Sequence, residues 1–424
     1  MVGGVVALGG AFAFGSLDGS FILPQDHPAI QYGTAPVADR VSVLQRRLLD
    51  GNTKLAFDER HGYLPAVLRA LDVPVESQVL VFSKTSFQAP RISPRMARAI
   101  YFTDDVYVGW VPGGDVVEIA AVDPALGVIF YALGQDKVDR PKITRRDDCL
   151  QCHASGGTLG VPGLVVRSVY VERSGMPFFN AGGFVTDHRS PLAERWGGWY
   201  VTGTHGAQRH MGNVFAENRE HPEEIDRESG ANITDLKGRI DTGMYLAPTS
   251  DLAALMVLEH QTRMTNLITR VGWETRLAVS DQLAINRALG EPDDKILESS
   301  RRRIHNAAEE LLKYLLFADE AVLKEPVRGG EAFAKAYSDS RPFREFDMRT
   351  RMFRNRCSPL IMSEAFDGLP APARERVYRR LWEVLTGADT TGVGKRIGAQ
   401  ERKAIYAVLL AKKRNLPEYW RAGK

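Results

Sequence analysis

An α+β fold, with strands in one part of the chain and helices in another, follows from three features of the 424-residue sequence. Between residues 78 and 133 the runs VLVF, AIYF, VYVGWV, VVEIAAV and LGVIFYAL are short, β-branched and aromatic. They are broken by Pro90, Pro94, Pro112-Gly113-Gly114 and Asp123-Pro124, the texture of antiparallel strands joined by turns. From Asp251 onward apolar residues recur at spacings of three and four, the period of helices buried on one face. No repeat of 20–50 residues is visible, so neither a solenoid nor a propeller is indicated. Strands followed by helices make a small antiparallel β region and a mainly α-helical C-terminal half.

In chain order, residues 41–49 and 64–71 have helical spacing, separated by a Gly51-Asn52 turn. The strand region follows. Residues 156–213 are rich in glycine and contain two strand-like stretches, 163–171 and 176–185. The run RWGGWYVTGTHGAQRHMGN has too many glycines for a helix and too many aromatics for disorder, so it reads as an ordered loop. Thr249-Ser250-Asp251 offers an N-cap for a helix reaching about residue 269 or beyond. Further helices are expected at 275–289, 295–317, 373–385 and 399–411. The organisation is then 1–13 as a signal-peptide segment, 14–145 as a mixed α/β region, 146–248 as a motif and glycine-loop region, and 249–424 as the helical region.

Composition narrows the class. A chain of this length predicts several subdomains or one elaborate fold. Hydrophobic content of 44%, charged content of 25% and a net charge of +3 are those of an ordinary globular protein. Acidic and basic residues are interleaved, so nucleic-acid binding is not indicated, and Arg301-Arg302-Arg303 reads as a solvated helix face. The opening MVGGVVALGGAFAF is apolar, too short to span a bilayer, and ends near Ala11-Phe12-Ala13, the small-x-small form of a signal-peptide cleavage point. The basic stretch that normally precedes such a region is missing. An exported protein with no membrane span in its mature chain, placed in the periplasm, is the expectation.

The chemistry is carried by Cys149-Leu150-Gln151-Cys152-His153. Two thiols three residues apart can add to the two vinyl groups of a haem, and the next residue can bring its imidazole onto the iron. Two other readings use the same residues. A zinc site would need four ligands, and the only other cysteine, Cys357, stands alone, so histidines would have to come from a distance. A redox dithiol would want a strand before it and an apolar neighbourhood. Here Arg145-Arg146-Asp147-Asp148 precedes the motif and Ser155-Gly156-Gly157 follows it, which suits a short exposed helical turn.

Cys149, Cys152 and His153 resemble the attachment motif of c-type cytochromes. The resemblance covers five residues and implies one covalent haem c per chain, with Cys149 and Cys152 as thioether donors and His153 as proximal iron ligand. Residues 251–270 and 346–370 are also similar to parts of large exported bacterial single-haem proteins with no assigned activity. Export agrees with the resemblance, since bacterial c-type haem is attached outside the cytoplasm.

Function then depends on the other side of the iron. His260 lies on an apolar helical stripe with Leu252, Met256, Met264 and Leu267, and is a candidate distal ligand or distal residue. A core histidine bonded to a neighbouring carbonyl would look the same. His205, Arg209 and His210 in the glycine loop pair imidazole with guanidinium, as heterolytic O–O cleavage would need, or as partners of haem propionates would. Met176 and Met211 could give a thioether ligand or simply fill core gaps. Trp196, Trp199, Tyr200 and Tyr245 could line a porphyrin or pack in a core. Cys357 reads as a buried, unpaired thiol. The expected function is electron transfer, alone or within a redox enzyme, with a redox partner protein or small-molecule substrate. A haem-dependent oxidoreductase of peroxidase or oxygenase type and a haem-based ligand sensor are the alternatives.

Overall fold

The computed structural model describes residues 24–421 except 340 and 390, and its architecture is α+β. The segment expected to be a signal peptide lies outside the described residues. Two helices, α1 (Arg40–Leu49) and α2 (Leu64–Ala70), precede the strands β1 (Val79–Val81), β2 (Arg98–Phe102), β3 (Val106–Trp110), β4 (Val116–Asp123), β5 (Gly127–Gly134) and β6 (Ile143–Arg145). Consecutive strands pair antiparallel. After the one-turn helix α3 (Leu150–His153) and the small hairpin β7 (Arg167–Val169) and β8 (Gly183–Val185), the chain returns as β9 (Trp199–Tyr200) and pairs with β1. The sheet order is β6-β5-β4-β3-β2-β1-β9. The region after the motif is thereby tied to the sheet built before it.

The period of two gives this sheet two working faces. Tyr101, Val108, Ile119 and Tyr131 point inward onto α1, α2 and their flanking segments. Asp39 caps α1 by accepting from Val41 N and Ser42 N, and its other oxygen accepts from the Tyr131 hydroxyl at 2.6 Å, which ties that helix to the inner face. The opposite, outer face carries Phe102, Tyr107, Ala120, Val122 and Phe130. There the N-terminal half of the long helix α4 (Leu252–Ala288) packs. Asp251 caps α4 by accepting from Ala254 N at 2.9 Å. Gln261 Nε2 donates to Thr103 O at 2.7 Å and to the Tyr107 hydroxyl at 3.0 Å, so the helix is seated on the β2–β3 turn.

Helix α4 runs 37 residues without a break where the sequence suggests two helices meeting between 269 and 275. The difference has a simple cause. A single Gly272 separates the two patterns, a helical glycine is less favourable than alanine by only about 1 kcal/mol, and buried Val271 and Trp273 on either side anchor the joint. Beyond it, α5 (Glu298–Leu315), α6 (Glu331–Tyr337), α7 (Glu364–Asp367), α8 (Ala371–Thr386) and α9 (Ala399–Lys412) follow. Helices α5, α8 and α9 close a separate core over the middle of α4 around Leu311, Leu381 and Leu409. Among the described residues no helix is long and apolar enough to cross a membrane.

Candidate haem-binding site

The motif forms a tight helical turn. A 3-10 turn at Asp147–Cys149 runs directly into α3, and Asp147 and Asp148 occupy its first turn, where acidic side chains suit the positive end of a helix. Arg146 N donates to Phe130 O at 2.8 Å, attaching the lead-in to β5. Arg145 and Arg146 each pair with the aspartate two residues on, at 2.8 and 2.6 Å. Cys149 is half-buried against the outer-face core, Cys152 is exposed, and neither is in a disulfide. Burial pushes the Cys149 thiol up to about 11.

His153 is fixed by a two-way lock. Gly163 N donates to His153 O at 2.9 Å, and the ring Nδ1 stands 2.9 Å from Gly163 O. A carbonyl can only accept, so Nδ1 carries the proton and Nε2 keeps its lone pair. That is the tautomer a metal-binding imidazole needs, held by a backbone partner on its far nitrogen. Burial lowers the ring's proton affinity, against the Gly163 bond, and keeps it neutral. The Phe130 ring packs on it at 4.8 Å between centroids.

The lock is itself held by a residue of α4 that no local pattern in the sequence marks. Asn266 of α4 accepts from Leu164 N at 3.0 Å and donates to Leu164 O at 2.7 Å, clasping the residue next to Gly163. A Cβ on Gly163 would lie 2.7 Å from Asn266 Cγ, so the glycine makes the close approach possible.

The other candidates are placed differently. His205 Nε2 accepts from Asn232 N at 3.0 Å and its Nδ1 donates to Gln208 O at 2.7 Å, so both nitrogens organise the loop. His210 Nδ1 accepts from Gly212 N at 2.9 Å, which leaves the proton on Nε2 and no lone pair there for a metal. The two rings lie 4.7 Å apart, and Arg209 turns away to form a bidentate pair with Glu228. The distal pairing of histidine with arginine expected of this loop is not assembled. Met211 is buried with its sulfur 3.6 Å from the Ser168 hydroxyl, whereas Met176 is exposed on a turn. Trp199 donates to Arg167 O, and the Tyr200 and Tyr245 hydroxyls donate to Pro94 O and Ala97 O. Trp196 is fully buried in the outer-face core, and Cys357 is buried among the C-terminal helices.

His260, expected as a distal ligand or distal residue, is held within the core. Its Nδ1 lies 2.8 Å from Nδ1 of His188 and its Nε2 lies 2.8 Å from the Ser358 hydroxyl. With both nitrogens engaged, the ring has no free lone pair to offer an iron. The apolar stripe around it is core, stacked on Tyr314 and Phe317. Burial drops its pKa to about 3. In haem-loaded protein, His260→Gln is therefore expected to leave the visible absorption bands where they were, and a displaced band would put His260 back on the iron.

Beside this pair lies a second buried polar contact. Arg195 Nη1 reaches Glu259 Oε2 at 3.0 Å, and the guanidinium also donates to Ser190 O and His188 O. Burial raises the Glu259 carboxyl to about 7 even with Arg195 against it. His188, Arg195 and Glu259 come from distant segments, so no local pattern marks them. Among the described residues no group of three or more His, Cys, Asp or Glu side chains is arranged to hold a metal ion. Compared with protein-family models, curated proteins and solved structures, the chain matches none of them.

Proposed function

We propose that the chain is an exported redox protein carrying one covalent haem c, attached through Cys149 and Cys152 with His153 as proximal ligand, and working in electron transfer with a partner protein. The observation that carries this reading is the His153 lock: Nδ1 given to Gly163 O and Nε2 left unprotonated, one residue after a cysteine on an exposed helical turn. The residues around the motif fit such a group. The partly exposed Ile100 and Ala132 are apolar positions on the sheet's outer face, on the same side as the Phe130 ring that packs on His153.

When bound, the haem supplies a one-electron couple at its iron. The chain's own part is to hold the imidazole in the metal-binding tautomer, with the Asn266 clasp fixing the segment that does so. Electron transfer is preferred to peroxide chemistry because Arg209 and the two loop histidines are committed to loop bonds rather than turned toward a common point. The test is to express the chain with its leader in a host that matures c-type cytochromes. The purified protein is expected to carry the mass of one haem on the peptide spanning 149–153 and a reversible c-type absorption spectrum. Unmodified thiols on that peptide would sink the reading.

A further inference from the structure

On the outer face of the sheet, next to the motif, stands a charge pair that the attachment chemistry does not use. Arg98 of β2 and Glu118 of β4 lie on either side of Gly109 of β3, with Ile100 opposite Gly109 and Gly109 opposite Glu118 in the register. The guanidinium lies across the glycine: a Cβ there would come within 2.7 Å of Arg98 Nε. Arg98 Nη2 is 2.6 Å from Glu118 Oε2, and the side chains are only 23% and 22% exposed. The contact is close but out of line for hydrogen bonding, because Arg98 Nε and Glu118 Oε2 are both buried without a hydrogen-bond partner. A guanidinium is rarely left this way unless something else completes it.

The pair is beside the iron ligand. Ala132 is the cross-strand partner of Glu118 and lies two residues from Phe130 on the same face, so Phe130 and Glu118 are diagonal neighbours, about 7–8 Å apart. Phe130 carries the His153 ring. Arg98 and Glu118 are among the charges that act on that ring.

We infer that Arg98, given room by Gly109 and held by Glu118, receives a carboxylate of the porphyrin attached at the motif. The inference rests on the haem reading and deepens it: the ligand class is a planar macrocycle with acidic side chains, and Arg98 is a positioning residue for one of them. Guanidinium and carboxylate meet in charge-assisted hydrogen bonds, and the part of the Arg98 side chain that remains exposed is what such a carboxylate would reach. Glu118 then keeps the site from carrying a bare positive charge.

The test uses holoprotein and reads the midpoint potential by spectroelectrochemistry. A cation near the macrocycle disfavours the oxidised, more positive state. Arg98→Leu is therefore expected to shift the potential downward and Glu118→Gln to shift it upward, with Arg98→Lys between Arg98→Leu and the parent. Gly109→Ala, which removes no charge but displaces the guanidinium, should shift it in the same direction as Arg98→Leu, and it keeps the question open to decision if the leucine variant fails to fold. Haem-loaded variants whose potentials match the parent, or shifts of the same sign for Arg98→Leu and Glu118→Gln, overturn the role of Arg98 while leaving the attachment reading intact. A parent chain without a haem adduct takes down both.

Discussion

Replacing Cys149 and Cys152 together by serine is expected to abolish covalent haem altogether, so that acid–organic extraction removes all the colour from the variant and none from the parent. The expectation follows from the chemistry of the bond, since serine oxygen does not form the thioether that cysteine sulfur does. His153→Ala should behave in the opposite way: the adduct remains, and the absorption spectrum of the ferrous form changes because the proximal nitrogen is gone. Mass spectrometry and a visible spectrum on the same samples separate the two. Retention of a covalent adduct in the double serine variant would contradict the attachment chemistry. An unaltered spectrum in His153→Ala would contradict the ligand assignment.

The second large effect is expected at Arg195 and Glu259, and it is asymmetric. Glu259→Leu leaves a guanidinium that is only 3% exposed without its counter-charge, and arginine cannot shed its proton. At pH 8, where the Glu259 carboxyl is mostly ionised, the loss should be about 3–5 kcal/mol, the range for breaking one side of a buried ion pair. Arg195→Leu leaves a carboxyl that can escape the penalty by taking up a proton. Its cost should be smaller at pH 6 and grow by pH 8, where holding the proton becomes unfavourable. Denaturant unfolding of both variants at the two pH values decides the point, and equal losses at pH 8 would refute the asymmetry.

The same groups set the parent's response to acid. The Glu259 carboxyl titrates near 7 in the fold and near 4.5 when free. Between those values the folded chain holds a proton that the unfolded chain has lost, so this group adds stability as pH falls from 7 to 4.5. His260 and His210 run the other way. Each titrates near 6.5 when free and near 3 when buried, so each removes stability as pH falls from 6.5 toward 3. Below about 4.5 the Glu259 contribution no longer grows, while the two histidines still remove stability.

Much of the fold is legible in the sequence, because local patterns carry it. The five runs between 78 and 133 all become strands, since β-branched and aromatic residues between turn formers leave little alternative. The Asp251 cap and the expected helices at 41–49, 64–71, 373–385 and 399–411 also follow from short-range signals. Strand β6 is missed because three residues carry no period, and α6 because seven residues, scarcely two turns, are too few to show one. In the site, the motif announces itself. Its supports do not: Gly163, Asn266, Arg98 and Gly109 act across separations that no spacing rule records. His260 shows the limit of a local pattern. A histidine between methionines on an apolar stripe looks the same in sequence whether it meets a cofactor or, as here, His188 and Ser358.

The rims of the sheet have a consequence for assembly. Its inner strands β4 and β5 are eight residues long, while the strands at its two margins, β6 and β9, have three and two. A margin that short offers a foreign strand only a few backbone groups to grip, which is one way proteins discourage edge-to-edge aggregation. Any lasting association between copies of this chain would then have to be made by side chains rather than by extending the ladder.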